Sequence, residues 1–209
     1  MARRLTASCR LCRTEGAKLF LKGTKCTSSK CTVEKREYGP GQHGQGRKRK
    51  PSNFAMQLRE KQKAKRIYGM MEKQFRNYFA KAERSKGATG EILLQLLERR
   101  LDNVIYRSCF ASSLSSARQI VGHKFVKVNN KRVNIPSFQV SEGDEVSLHG
   151  TENQMKAIKE TTKILEDRGI PEWLDVAAEK FSVKIKRLPT KHDSGKEIQE
   201  NLIVELYSK

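Results

Sequence analysis

The chain has 209 residues, of which 43 are Lys or Arg and 23 are Asp or Glu, so its net charge at pH 7 is +20. The positive excess lies in residues 1–150, since residues 151–209 contain equal numbers of basic and acidic residues. This uneven distribution predicts a polyanionic partner, nucleic acid before all others. No membrane span or signal peptide is evident in the sequence, so we expect a cytoplasmic protein with neither a membrane nor a small-molecule substrate as partner.

Four of the five cysteines lie near the start of the chain, at Cys9, Cys12, Cys26 and Cys31. Two close pairs separated by a loop are the spacing that tetrahedral Zn²⁺ requires, because each short spacing supplies two thiolates. We therefore expect a structural zinc ion without a catalytic role. Two disulfides, four unconnected reduced thiols and an iron–sulfur cluster are the alternatives. Disulfides fit poorly with a basic protein in which no secretion signal is evident.

A glycine-rich segment, Tyr38–Gly46, follows the cysteines and leads into the basic run Arg47–Lys50. Its composition alone predicts a flexible basic linker. Because no Gly-Lys-Ser/Thr sequence follows the glycines, they do not form a nucleotide-binding phosphate loop.

Helical periodicity begins after this linker. Ser52 is expected to cap a helix over residues 52–67, and a second helix is expected over 70–86, with its aromatic side chains in the core. A third helix, beginning at residue 89 or 90, leads into the most informative part of the chain.

Residues 99–138 carry eight Lys or Arg and one acidic residue, and they predict two helices followed by a hairpin. Ser113 is expected to cap the second helix, and Asn129-Asn130 is expected to form the hairpin turn. The first helix is predicted to continue from the preceding one, with a buried apolar stripe formed by Leu94, Leu97, Leu101, Val104 and Ile105. Its opposite, polar face is predicted to carry Arg99, Asp102, Asn103 and Tyr106.

The rest of the chain predicts a neutral tail. A short strand is expected over 145–148, a helix over 151–168, and strands over 181–188 and 201–207. Trp173 is expected to act as a packing anchor for this tail.

Several stretches carry a family resemblance. Four segments resemble the alpha-L RNA-binding motif: Arg100–Arg107, Ser116–His123, Val128–Val133 and Ile135–Phe138. The match is extended by Tyr38–Gly44, Thr89-Gly90, Leu93-Leu94, Leu202–Ser208, Arg3-Arg4 and the four cysteines. The whole chain thus resembles the family of bacterial small-subunit ribosomal protein four. One departure is Cys109, where the family usually has glycine, which affects a tight turn between two helices.

The resemblance implies a primary binder of 16S ribosomal RNA that nucleates assembly of the 5′ domain of the 30S subunit. It also implies a location where messenger RNA enters the subunit, next to small-subunit protein five, and a role with proteins five and twelve in translational accuracy. In some family members the N-terminal region is a zinc knuckle, whose positions match the four clustered cysteines.

The expected fold class is α+β. Residues 1–45 are expected to form a zinc knuckle with a basic glycine-rich extension, and residues 46–98 a helical domain that residues 165–209 join. Residues 99–164 are expected to form the alpha-L module, with two helices on a small antiparallel sheet.

The candidate RNA contacts are the basic residues of these regions, one asparagine and two histidines. They are Arg3, Arg4, Arg10, Arg13, Lys22, Lys25, Lys30, Arg36, His43, Arg47, Lys48, Arg49, Lys50, Arg107, Arg118, His123, Lys124, Lys127, Asn129, Lys131 and Arg132. We expect them to bind phosphates and to recognise RNA mainly by shape.

Two other functions compete with this one. An RNA-modifying enzyme is suggested because alpha-L modules accompany pseudouridine synthases, and Arg100-Leu-Asp102 is similar to the tripeptide around their catalytic aspartate. However, no nucleophile–base set is evident, and the residues after 150 are too few for an ordinary catalytic domain. A zinc-dependent DNA-binding regulator is the other, for which the helix at 114–122 offers only Arg118 and Gln119 to read bases.

Overall fold

The computed structural model describes residues 6–47, 50–165, 168–194 and 198–208. The chain forms two compact units. The helical unit comprises the described residues of Met1–Leu93 and Lys196–Lys209, and the sheet unit comprises those of Leu94–Gly195. The α+β class that the sequence predicted is confirmed.

The helical unit begins with short elements. They are helix α1 (Ser8–Glu15), a 3-10 turn (Gly23–Cys26) and the single-turn helix α2 (Thr32–Lys35). The buried apolar side chains of this stretch are Leu11, Leu19 and those of three cysteines. Such a small core leaves much of the local order to polar contacts.

Three further helices belong to the helical unit. They are α3 (Asn53–Ile67), α4 (Glu72–Arg84) and α9 (Glu200–Tyr207). The prediction that Ser52 caps α3 is confirmed, since its side chain accepts a hydrogen bond from the Ala55 N–H. The prediction of a strand over 201–207 is wrong. In the helix, Ile203 is fully buried and Tyr207 stacks on Phe79, and the local apolar run did not distinguish this packing from that of a strand.

The expected continuous helix before the hairpin is divided into α5 (Thr89–Glu98) and α6 (Leu101–Arg107). Arg100 interrupts it with an extended backbone and forms an isolated β-bridge with Gln139. The predicted polar face is also wrong, because Asp102, Asn103 and Tyr106 are buried. Tertiary packing closes over this face, where Asp102 accepts from Arg100 and the Asn103 amide nitrogen donates to Glu98.

Helix α7 (Leu114–Gly122) leads into the hairpin of β1 (Val126–Val128) and β2 (Lys131–Arg132). The Ser113 cap is confirmed, with its side chain accepting from the Ser116 N–H. Asn129 and Asn130 have φ angles of 49° and 64°, the left-handed pair that a type I′ turn requires. Asparagine tolerates this conformation better than most residues do.

Strands β3 (Glu145–Leu148), β4 (Leu174–Ala177) and β5 (Ser182–Ile185) extend the hairpin into a five-stranded sheet of order β2-β1-β3-β5-β4. All neighbouring strands are antiparallel. Helix α8 (Glu152–Ile164) connects β3 to the last two strands, and the prediction that Trp173 anchors packing is confirmed by its complete burial.

Strands β4 and β5 place residues 168–194 with the sheet unit, whereas the sequence assigned 165–209 to the helical domain. The physical reason is that β5 pairs with β3, so its buried Val183 and Ile185 join the core of the alpha-L module. Cys109 is buried in the same unit, with a φ of 60° that favours glycine.

Candidate nucleic-acid interface

The hairpin presents three cations on short strands. Lys131 and Arg132 are exposed and Lys127 is half-buried. Lys127 lies directly opposite Arg132, so their side chains share the face of the sheet that Val126 and Val128 do not occupy. Like charges directly opposite one another repel. An anionic partner that neutralises them is therefore favoured at this position.

The turn between α7 and β1 adds two further candidates. His123 and Lys124 are exposed, and the His123 ring stacks on Phe125 with 5.8 Å between the ring centroids. Lys124 has a φ of 64°, in the left-handed region. The structure thus brings the candidate side chains of the turn and the hairpin into one short stretch of the sheet unit.

Asn129 has a structural role in addition to the predicted one. Its amide nitrogen donates to Asp144 Oδ1 at 2.8 Å, and its Oδ1 accepts from the Glu145 N–H at 3.0 Å. These two bonds fasten the hairpin turn to the beginning of β3.

Arg118 is held by a buried carboxylate. Arg118 Nε donates to Asp102 Oδ2 at 2.6 Å, and Asp102 is completely buried. Arg100 also binds this carboxylate, donating to its two oxygens at 3.0 and 2.9 Å. Arg118 therefore stands at the edge of the unit with its orientation fixed by Asp102.

Arg100 is not among the candidate RNA contacts predicted from the sequence, and its side chain is almost wholly buried. The only signal for it was an arginine two residues before an aspartate, which is weak without knowledge of burial. The same geometry bears on the enzyme alternative: Asp102 is completely buried and accepts from two guanidinium groups, so its carboxylate does not face a substrate site.

Arg107 lies inside the sheet unit. It donates to both oxygens of Glu98, at 3.1 and 2.9 Å, and to the carbonyl of Ser194. Glu98 is buried and also accepts from the Asn103 amide at 2.6 Å. The structure therefore places Arg107 in a network that joins α5, α6 and the 3-10 turn His192–Ser194, separate from the basic hairpin.

In the helical unit, the candidates other than Arg13 that the structure describes are exposed. They are Arg10, Lys22, Lys25, Lys30, Arg36, His43, Arg47 and Lys50. Four further candidates, Arg3, Arg4, Lys48 and Arg49, lie outside the described residues. The exposed set has the accessibility that contacts to phosphates require.

Arg13 ties the glycine-rich segment to α1. It donates to the carbonyls of Tyr38 and Gly39, both at 3.0 Å, and its guanidinium lies 4.8 Å from the centre of the Tyr38 ring. Gly44 packs so closely that a Cβ there would come within 1.9 Å of the Gly39 carbonyl oxygen. The segment predicted as a flexible linker is therefore a folded loop, which displays His43 at its surface and is followed by the exposed Arg47.

The four clustered cysteines are partly brought together. Cys12, Cys26 and Cys31 are buried and Cys9 is half-buried. Burial raises the pKa of Cys12, and charge on each of the other three sulfurs raises it further, so all three lie within electrostatic reach of Cys12. As placed, no group of three or more His, Cys, Asp or Glu side chains within the described residues is arranged to hold a metal ion.

A cationic surface on a helix, turn and hairpin, with further exposed cations before and after a glycine-rich loop, defines a protein that binds a nucleic-acid backbone. Two family models together match most of the chain. Residues 3–98 match the ribosomal protein S4/S9 N-terminal domain, and residues 99–146 match the S4 domain. Within the part of the chain that the structure describes, no helix has the length and apolar character needed to cross a membrane.

Relatives resemble the chain from end to end. Small ribosomal subunit protein uS4 of Syntrophus aciditrophicus is 54% identical over 211 residues, and that of Desulfotalea psychrophila is 53% identical over 209 residues, each covering 100% of both chains. The chain therefore belongs to the family of small ribosomal subunit protein uS4. Two predictions are confirmed: the resemblance to this family, and that the chain is a ribosomal protein and not an enzyme.

Proposed function

We propose that the chain is a primary binder of 16S ribosomal RNA in the cytoplasmic ribosome and nucleates assembly of the 5′ domain of the 30S subunit. The observation that carries this proposal is the basic surface of the sheet unit, where His123, Lys124, Lys127, Lys131 and Arg132 follow one another along a turn and a hairpin. The proposal is also supported by the end-to-end similarity of the chain to relatives named as small ribosomal subunit proteins.

The mechanism follows from the shape of the two partners. The deep major groove of A-form RNA excludes side chains, so the cations bind phosphates and riboses along the outside of several RNA helices. Arg118, held by Asp102, binds in a fixed orientation, whereas exposed lysines adapt to the backbone. A folded RNA junction therefore binds more tightly than straight duplex DNA.

Binding to the 16S 5′ domain, measured over a range of salt concentrations, tests the proposal. The double substitution Lys131→Gln with Arg132→Gln should lower the affinity and reduce the salt slope by about one for each lost phosphate contact. The matched control is Lys156→Gln with Lys159→Gln, two exposed lysines on α8 of the same unit.

Three results would contradict the proposal. One is an equal loss of affinity in both double variants, which would indicate diffuse charge attraction only. Another is equal affinity for duplex DNA at matched salt, which would favour the DNA-binding regulator. The third is complex formation that does not change with salt.

The partners and the role in accuracy belong to the same proposal. The chain lies next to small-subunit protein five, contacts messenger RNA where it enters the subunit, and acts on accuracy with proteins five and twelve. Reconstitution of 30S particles with and without the chain tests this, with particle assembly and misreading of near-cognate codons as the readouts. Particles that assemble at the same rate without the chain would overturn the assembly role.

The proposal includes a structural Zn²⁺ on Cys9, Cys12, Cys26 and Cys31. It is supported by their spacing, by the burial of three of the thiols and by the small apolar core around them. Metal analysis after native purification should give about one zinc per chain, lost in Cys12→Ser and retained in Cys109→Ala. Fully reduced thiols without metal would overturn this part, and iron in place of zinc would indicate a cluster.

A further inference from the structure

A second group of side chains shares the face of the sheet that carries Lys127 and Arg132. Lys127 lies opposite Arg132 on one side and opposite Ser147 on the other. Val146 and Leu148, the neighbours of Ser147 on β3, point into the core, so Ser147 points to the outer face. Arg132 on β2, Lys127 on β1 and Ser147 on β3 therefore form a row across the outer face.

His149 completes the group. Its Nε2 lies 3.0 Å from Ser147 Oγ, and its backbone N–H donates to the Phe125 carbonyl at 2.7 Å. The side chain is exposed. Slight burial lowers the pKa of His149, and the charges of Lys127 and Arg132 lower it further. Both cations are therefore close enough for their charge to act on the ring. We refer to Lys127, Arg132, Ser147 and His149 as the outer-face cluster.

We propose that the outer-face cluster is a binding site for one backbone phosphate of RNA, and that the His149 ring is protonated when the phosphate is bound. The inference rests on the proposed function and adds a site that the sequence did not indicate. Lys127, Arg132 and protonated His149 supply positive donors, and the Ser147 hydroxyl supplies a neutral one.

The charges around the cluster favour an anion. Both charged groups that act on the His149 pKa are cations, from β1 and β2. Two acidic residues are associated with the same sheet: Glu145 on β3 lies opposite Lys184 of β5 in the strand register, and Asp175 on β4 forms an ion pair with Lys186. His123 stacks on the ring of Phe125, and the Phe125 carbonyl accepts a hydrogen bond from the His149 backbone N–H.

Phosphate binding reverses the effect of the two cations on the ring. In the free protein they oppose protonation of His149, and a bound phosphate compensates their charge and favours it. RNA binding at this site therefore takes up a proton. Affinity should fall as the pH rises through the range in which histidine titrates.

The experiment measures affinity for the 16S 5′ domain at about pH 6 and about pH 7.5, at one salt concentration, for the full chain and three variants. The wild type should bind about fivefold more tightly at the lower pH, and His149→Gln should lose most of that difference. His149→Arg should bind tightly at both values, because its charge is permanent. His192→Gln, an exposed histidine outside the cluster, should behave like the wild type.

The outcomes separate this inference from the proposed function. If the wild type does not bind the RNA, the proposed function fails. If the wild type binds but His149→Gln keeps the full pH difference, the cluster is not a phosphate site. Unfolding is excluded by the fluorescence of the single tryptophan, Trp173, which is buried in the same unit. The His149 ring signal in NMR should also shift to the protonated form when RNA is added, and no shift would overturn the inference.

Discussion

The two units stabilise cationic surfaces in different ways. The sheet unit places its basic turn and hairpin over an apolar core that extends from α6 through the sheet to Trp173. The cysteine-rich start of the helical unit has few apolar side chains and relies on polar contacts, such as those of Arg13 with the Tyr38 and Gly39 carbonyls. A basic surface thus needs an ordered structure beneath it, and apolar burial is only one means of providing that order.

Two ion-paired carboxylates, one from each unit, differ in their burial. In the sheet unit, Asp102 and Arg100 are both almost fully buried. In the helical unit, the Glu72 carboxylate forms ion pairs with Lys61 and Lys65, each at 2.6 Å, while its own side chain is nearly half exposed. Buried pairs are costly to break, whereas exposed pairs contribute little, so the loss of Asp102 should destabilise its unit far more than the loss of Glu72 destabilises the other.

The largest effect is expected for Asp102→Ala. This change leaves the Arg100 guanidinium buried without its carboxylate and releases Arg118 from its fixed orientation. The free energy of unfolding of the sheet unit should fall by about 3–5 kcal/mol. Urea denaturation followed by Trp173 fluorescence measures it, because the only tryptophan lies in this unit.

The matched control is Asp175→Ala, which removes an exposed carboxylate 3.4 Å from Lys186 in the same unit. It should cost less than about 1 kcal/mol. Equal losses of unfolding free energy in the two variants would mean that burial does not determine how much Asp102 contributes to stability.

Gly90→Ala tests packing in the helical unit. A Cβ at Gly90 would lie 2.6 Å from Cγ and 2.9 Å from Cβ of Glu200, so α9 would have to move. We expect a loss of about 1–3 kcal/mol, measured by denaturation followed by far-UV circular dichroism. Gly122→Ala is the control, since nothing lies within 4 Å of a Cβ at that position. A Gly90→Ala variant as stable as the wild type would show that α9 repacks freely.

Gly44→Ala should have a local effect. Its Cβ would collide with the Gly39 carbonyl oxygen, so the glycine-rich loop should open without unfolding either unit. Limited proteolysis should then cleave the loop faster than in the wild type. Gly46→Ala, whose Cβ would lie 3.4 Å from the His43 carbonyl oxygen, should be cleaved at the wild-type rate. If Gly44→Ala is cleaved at the wild-type rate, the segment is a flexible linker and not a folded loop.

The smallest effect is expected in the dependence of stability on acidic pH. Burial raises the pKa of Glu72, but hydrogen bonds from Lys61 and Lys65 outweigh it and bring the pKa to about 2. A lowered carboxyl pKa stabilises the fold above the ordinary value of about 4.3, and this contribution is lost as the pH falls toward 2. Because Glu72 is nearly half exposed, we expect at most about 1 kcal/mol.

Glu72→Gln measures this contribution. The stability of this variant should equal that of the wild type near pH 2 and should be lower by at most about 1 kcal/mol at neutral pH. Urea titrations at several pH values measure the difference. A constant difference across the pH range would contradict the assignment. Tyr207 donates to the same carboxylate at 3.2 Å, so Tyr207→Phe serves as a partner variant.

Local patterns predicted much of the fold. Ser52 and Ser113 cap α3 and α7 because a side-chain oxygen before an amphipathic run satisfies the first free N–H groups. Asn129-Asn130 forms the hairpin turn because both residues accept a left-handed backbone. Residues 201–207 were misassigned, since a short apolar run is compatible with a strand as well as with a helix.

The site was predicted less completely than the fold. The hairpin cations were found from their density in the sequence, and they lie where a nucleic-acid backbone can reach them. Arg13 and Arg107 were counted with them, yet the structure uses the first to hold a loop and the second to bind Glu98. Charge can be read from a sequence, but the partner of each charge cannot.

The sequence by itself determined the polyanionic partner, the helix caps, the hairpin turn and the family, because each depends on composition or on residues close together in the chain. Only the tertiary structure decided that Asp102 is buried between two arginines, that β5 pairs with β3, and that His149 joins Lys127 and Arg132 on one face of the sheet. These features bring together residues from separate elements, and their energies depend on burial, which is a property of the folded chain.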